Sequence, residues 1–142
     1  MKFNFSIHWF WFGIRQSISR CIRDDERIND SKKLTEKQRE EAFQIIIKNA
    51  ISYSIASCSV EEIDEMNILN ASREAMIRAI KGLKVKPDYV LTDCMDISKL
   101  GIPFTSLVKG DARSKNIAAA SILAKVSRDH ECYELDKKYP MY

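Results

Sequence analysis

The chain has 142 residues, of which 45% are hydrophobic, and a formal net charge of +3. That is enough apolar material for one globular domain with a buried core, and no proline-rich or glycine-rich linker divides it. So mild a positive charge permits a nucleic-acid partner without requiring one, and no apolar stretch is long enough to span a membrane.

At the amino end Phe3, Phe5, Ile7, Trp9 and Trp11 alternate with Asn4, Ser6 and His8, the period of a strand with one apolar face. The segment lacks a small-residue cleavage site and is interrupted by polar residues, so it is a poor secretory signal. Thr35 and Gln38 are spaced as a capping box ahead of Ala42, Phe43, Ile46 and Ile47, which predicts a helix. Residues 50–57, with Ile51, Tyr53 and Ile55 alternating, predict a strand. Ser59 and Glu62 form a second capping box before Ile63 and Met66. Helical spacing continues through Leu69, Arg73, Met76, Ile77 and Ile80, and Gly82 marks the end.

Pro87 precedes the run Asp88-Tyr89-Val90-Leu91-Thr92-Asp93, which reads as a buried strand ending on a carboxylate. Ligands of open α/β sheets bind at the carboxyl ends of strands, which makes Asp93 a functional candidate. The competing assignment is an Asx hydrogen bond into the turn that follows, a job Asp96 can do equally well. A further strand is predicted at residues 104–108, and the α/β order is that of a mixed sheet.

Gly110-Asp111 then breaks the apolar run, and Asp111 or Ser114 can cap a helix starting near Arg113. On it Ile117, Ser121 and Ala124 share one face, while Lys125 and Asp129 share another. Alanine and serine allow close approach to a neighbouring element, as a ligand-bearing helix needs; alternatively Lys125 and Asp129 are a solvated ion pair of little worth. Basic residues cluster twice, at Lys32, Lys33, Lys37 and Arg39 and at Lys109, Arg113 and Lys115. Such clusters can neutralise phosphates with little sequence preference, or simply make a solvated face.

Cys21, Cys58, Cys94 and Cys132 are widely spaced and contain no Cys-x-x-Cys pair, which argues for reduced thiols and against zinc. His8 and His130 share no metal-ligand spacing, although His130 follows Asp129 and could tune a site there. Neither a glycine-rich phosphate loop nor a nucleophilic-serine elbow occurs.

Four segments, taken in order, resemble bacterial ribonuclease HII: Asn29-Asp30-Ser31-Lys32-Lys33-Leu34-Thr35; Ser59 through Leu69; Asp93; and Lys109-Gly110-Asp111-Ala112 continuing to Lys125-Val126-Ser127-Arg128-Asp129. The resemblance runs from about Ile28 to Tyr142. It implies a ribonuclease H-like mixed sheet flanked by helices, whose first strand is here replaced or lost. The implied activity is an endonuclease that cuts the RNA strand of RNA–DNA hybrids, or nicks DNA beside an embedded ribonucleotide. The implied cofactor is a pair of Mg²⁺ or Mn²⁺ ions held by four acidic residues. Asp93 and Asp129 match the last two acidic positions as catalytic metal ligands, and Ser31, Lys32, Lys33 and Lys109 match phosphate contacts. The implied protein is cytoplasmic and monomeric.

The family's Asp-Glu-Ala-Gly-Arg-Gly motif, which supplies the other two ligands and senses the ribose 2′ hydroxyl, does not occur here. Residues 1–27 are therefore expected to be an atypical segment, interrupted or out of frame in the coding sequence, ahead of a partial domain at 28–142. The tyrosine-bearing basic tail of the family is also missing. With two carboxylates instead of four, a catalytically inactive fragment or a hybrid-binding remnant is the alternative expectation.

Overall fold

The computed structural model describes residues 7–10, 28, 33–50, 52–109 and 115–140. In chain order the elements are β1 (Ile7–Phe10), α1 (Glu36–Asn49), β2 (Ile55–Cys58), α2 (Val60–Met66), α3 (Ile68–Lys81), β3 (Val90–Asp93), a 3₁₀ turn (Ser98–Leu100), β4 (Phe104–Leu107) and α4 (Lys115–Lys138).

Both predicted capping boxes form. Thr35 accepts from the Gln38 N–H at 3.2 Å while the Gln38 side chain accepts from the Thr35 N–H at 2.9 Å. Ser59 and Glu62 repeat the arrangement at 3.3 and 2.8 Å. Each box satisfies two backbone donors that a helix start otherwise leaves unpaired. Asn67 divides what the spacing presented as one long helix. Its N–H closes α2 on the Ile63 carbonyl, and its side chain accepts from the Asn70 N–H at 3.1 Å to open α3. Its φ of 70° and ψ of 167° lie outside the left-handed helical region, in backbone space that residues other than glycine rarely adopt.

α3 ends at Gly82 as expected, but for a different reason. The glycine has φ of −77°, so no left-handed cap is involved. A Cβ there would instead collide with Ser54 Oγ. This also accounts for the strand that begins late, at Ile55 rather than near residue 50. Ser54 packs on Gly82, and Ser52 Oγ accepts from the Lys84 N–H at 3.0 Å, so these serines bind the end of α3 instead of joining a ladder.

β1 and β2 pair antiparallel, with Ile7 opposite Cys58 and Phe10 opposite Ile55. β3 and β4 pair parallel, with Val90 opposite Phe104 and Asp93 opposite Leu107. Residues 94–103 make the connection, and within it Met95 and Ile97 are buried against Met76, Ile77 and Ile80 of α3. α3 packs on β1 and β2, whereas α4 packs on α1, β1 and β3. The largest core joins α1 and α4: Ala42 and Ile46 meet Ala118, Ala119, Ala120, Ile122, Leu123 and Val126, with Ile28 fully buried among them. The apolar face of α4 is thus wider than the predicted face of Ile117, Ser121 and Ala124, because β1, β3 and α1 cover it from different sides.

Leu123 is fully buried in that core, so Leu123→Ala leaves a cavity that α1 and α4 close only in part. The expected loss of unfolding free energy is about 2–5 kcal/mol, read from urea unfolding. A change well below that range would contradict the packing described.

Candidate nucleic-acid and metal site

Asp93 is the last residue of β3, at the carboxyl edge of the parallel pair. The backbone turns sharply just beyond it. Cys94 takes φ of 53° and donates its N–H to the Leu107 carbonyl at 3.0 Å, carrying the pairing one residue past the strand. Thr92, fully buried, donates to the Met95 carbonyl at 2.6 Å and fixes the exit. The Asx bond of the turn is made by Asp96, whose Oδ1 accepts from the Ser98 N–H at 2.8 Å. That hydrogen bond, from the Ser98 backbone, holds the Asp96 carboxyl below the usual carboxylate range. The structural job open to either aspartate is therefore done by Asp96.

Asp129 lies 14 residues into α4, about 21 Å along the axis at 1.5 Å per residue. Its Oδ1 is 3.4 Å from Lys125 Nζ and its Oδ2 is 3.9 Å from Arg39 Nη2. The predicted pairing with Lys125 is present, and α1 adds a second cation. α4 packs against β3, so the helix bearing Asp129 and the strand bearing Asp93 are neighbours. His130 turns toward α1, where it pairs with Glu40 and meets the Phe43 ring edge-on at 5.9 Å between centroids. Those partners, rather than Asp129, define its surroundings.

Of the expected phosphate contacts, Lys33 is exposed in the turn before α1. Lys109 is exposed just past β4, with φ of 52°. Ser31 and Lys32 lie outside the described residues, as do Gly110, Asp111, Arg113 and Ser114. Among the described residues Lys115 Nζ donates to the Ile28 carbonyl at 2.5 Å, which joins the chain ahead of Lys33 to the start of α4.

The carboxylates of Asp93 and Asp129 are hard oxygen donors, the type Mg²⁺ and Mn²⁺ prefer. Among the described residues, however, no three His, Cys, Asp or Glu side chains gather into a group that could hold a metal ion. The donor chemistry of these two carboxylates fits a divalent cation. Among the described residues no disulfide forms: Cys58 is buried, and Cys94 and Cys132 are exposed as free thiols. No helix there is long and apolar enough to cross a membrane.

The strongest electrostatic cluster went unread in the sequence. Arg78 grips Glu62 with two parallel hydrogen bonds, at 2.5 and 3.1 Å, and also reaches Glu74 at 3.3 Å and the Ser57 carbonyl at 3.3 Å. The Arg78 hydrogen bond, supported by the Ser59 backbone, lowers the Glu62 pKa to about 2. Burial pushes the adjacent Cys58 thiol up. The capping box had announced Glu62, but nothing local announces a partner 16 residues away. The cluster ties α2 and α3 to β2, a structural task.

The fold is that of the ribonuclease H-like α/β proteins. The ribonuclease H2 from Pyrococcus horikoshii OT3 superposes with a TM-score of 0.74 over 96% of this chain and 78% of that one, at 24% identity. A chain of the PCNA:RNase HII complex from Archaeoglobus fulgidus gives 0.66 over 79% of this chain and 60% of that one, at 30% identity. The family model for ribonuclease HII matches residues 22–142, and the chain belongs to that family. Ribonuclease HII of Desulfitobacterium hafniense is 55% identical over 81% of this chain and 44% of its own length. That of Acetivibrio thermocellus is 51% identical over 82% and 46%. The chain therefore spans about half the length of these curated relatives.

Because the folded pKa of Glu62 is depressed, its contribution to stability is complete above the ordinary value of 4.5 and fades as pH falls toward about 2. Glu62→Gln keeps an acceptor for the capping box but loses the ion pair. The urea midpoint of the variant should lie below that of the parent near neutral pH, and the gap should shrink through this window. A gap that stays constant with pH would rule out the ion pair as its source.

Proposed function

We propose that the domain acts as a ribonuclease H-type endonuclease, hydrolysing the RNA strand of RNA–DNA hybrids or nicking DNA at embedded ribonucleotides. Family membership supports the reading, and the observation that carries it is Asp93 at the carboxyl edge of the β3–β4 pair, with Lys109 just beyond the neighbouring strand. In this reading Asp93 supplies one ligand to a divalent cation, Mg²⁺ or Mn²⁺. Such a cation, when bound, activates water and stabilises the leaving oxygen of a phosphodiester. Lys33 and Lys109 hold the backbone of the duplex as exposed charges, together with Ser31 and Lys32, which the resemblance carries over. The domain of residues 28–142 works as a monomer in the cytoplasm.

Two aspartates compete for the place beside Asp93. Asp129 is the residue the resemblance carries over, and its helix packs on β3. Its carboxylate, though, already faces Lys125 and Arg39. Asp111 comes four residues after Leu107, the residue opposite Asp93 in the strand register, which makes it the other candidate by chain position. A second reading, hybrid binding without cleavage, is favoured by the engagement of Asp129 with those two cations.

The test is nicking of a labelled DNA duplex with one ribonucleotide, in Mn²⁺ or Mg²⁺ and in EDTA. Metal-dependent nicking lost in Asp93→Asn is the expected result, and parallel Asp111→Asn and Asp129→Asn variants assign the second carboxylate. Binding without cleavage by a folded chain would favour the second reading, and neither binding nor cleavage would reject both. In binding assays, Lys33→Ala and Lys109→Ala should each lower the slope of log affinity against log salt by about 0.9, the value for one phosphate contact.

A further inference from the structure

Arg39 is a mostly buried cation that neither a helix surface nor a phosphate site explains. It occupies the first turn of α1, and its side chain is only 18% exposed. Its Nη1 donates to the Leu34 carbonyl at 2.9 Å, and its backbone N–H to the Thr35 carbonyl at 2.9 Å. The other arm of the guanidinium faces Asp129 of α4 at 3.9 Å, and Lys125 balances the second oxygen of that carboxylate. Leu34 itself packs on the α1–α4 core. A planar fork can hydrogen-bond the Leu34 carbonyl with one nitrogen while keeping another within ion-pair range of the Asp129 carboxylate, which a lysine ammonium on a flexible stem cannot do in the same geometry. Earlier in the chain the Ile28 carbonyl is held by Lys115 of α4. The chain is thus fastened to α4 just before and just after the segment that leads to Lys33.

We propose that Arg39 and Asp129 are positioning residues that fix the Lys33–Leu34 turn on α4, and with it the phosphate contact at Lys33. This rests on the reading of Lys33 as a substrate contact, and it gives Asp129 a task other than holding a cation. The carboxylate orients the guanidinium, the guanidinium caps the Leu34 carbonyl, and the turn presents Lys33 to the duplex without an ordering cost at the moment of binding.

The experiment compares Arg39→Met, Arg39→Lys, Asp129→Asn and the Arg39→Met/Asp129→Asn pair with the parent chain, after thermal unfolding has shown each to be folded. Amide hydrogen exchange is followed at residues 33–38, and affinity for a labelled RNA–DNA hybrid is measured in EDTA across a salt series. Each single variant, Arg39→Lys included, is expected to speed exchange at 33–35 and to weaken hybrid binding about two- to fivefold, the range of an exposed ion pair. The salt slope should stay unchanged, and the double variant should add nothing beyond the singles. Parent-like exchange in Arg39→Lys would overturn the proposal, since charge alone would then suffice. Additive losses in the double variant would overturn it too, as would an Asp129→Asn variant that loses Mn²⁺ binding by calorimetry while exchange is unaltered. If the parent binds no hybrid, the functional reading fails while the exchange data still decide whether the tie exists.

Discussion

The close packing of α4 on α1 is the constraint on which the rest of the molecule depends. Three consecutive alanines, Ala118, Ala119 and Ala120, leave room for Ala42 and Ile46, while Ile122, Leu123 and Val126 fill the layer behind them. With larger side chains the helices would separate, and the polar contacts along their seam would open. Arg39 would lose Asp129, and Glu40 would lose His130. The buried Ile28 sits in the same layer, so the approach to the Lys33 turn is built on this interface as well.

From that layer the architecture reaches the candidate chemistry in one step. α4 also packs on β3, and β3 ends at Asp93, directly opposite Leu107 of the parallel neighbour. Strand ends at one edge of a parallel pair bring together residues that are far apart in the chain, which is why such edges carry ligand sites in α/β folds. The local turn chemistry supports this division of labour. Asp96 and Thr92 hold the turn that follows the acidic residue at the strand end. On the same half of α3 that Met95 and Ile97 cover, the Arg78 cluster ties α2 and α3 to β2.

The sequence was most legible where a local signal sufficed. The two capping boxes placed α1 and α2, because both partners of each box lie within three residues of one another. The apolar run ending on Asp93 placed the carboxyl end of β3, and the motif order pointed to the family that the comparisons support. It was least legible where distant partners decide the outcome. Ser52 and Ser54 abandon the predicted strand for the end of α3, and Gly82 lies against Ser54 rather than in a left-handed turn. Arg78 finds Glu62 across 16 residues, and Arg39 meets Asp129 across 90, neither of which any periodicity could reveal. The alternation of Ile7, Trp9 and their neighbours did mark a strand, but its pairing with β2 is a tertiary fact.

Whether the carboxyl edge of the β3–β4 pair holds a divalent cation is open to measurement on the metal itself. It is tested most directly by titrating Mn²⁺ into the isotope-labelled chain and following paramagnetic broadening of its amides. Broadening is expected to begin at Asp93, Cys94 and residues 107–109, and Asp93→Asn to remove it. Broadening that begins at the Glu61–Glu65 stretch of α2 or in the last turns of α4, with Asp93 untouched, would contradict it.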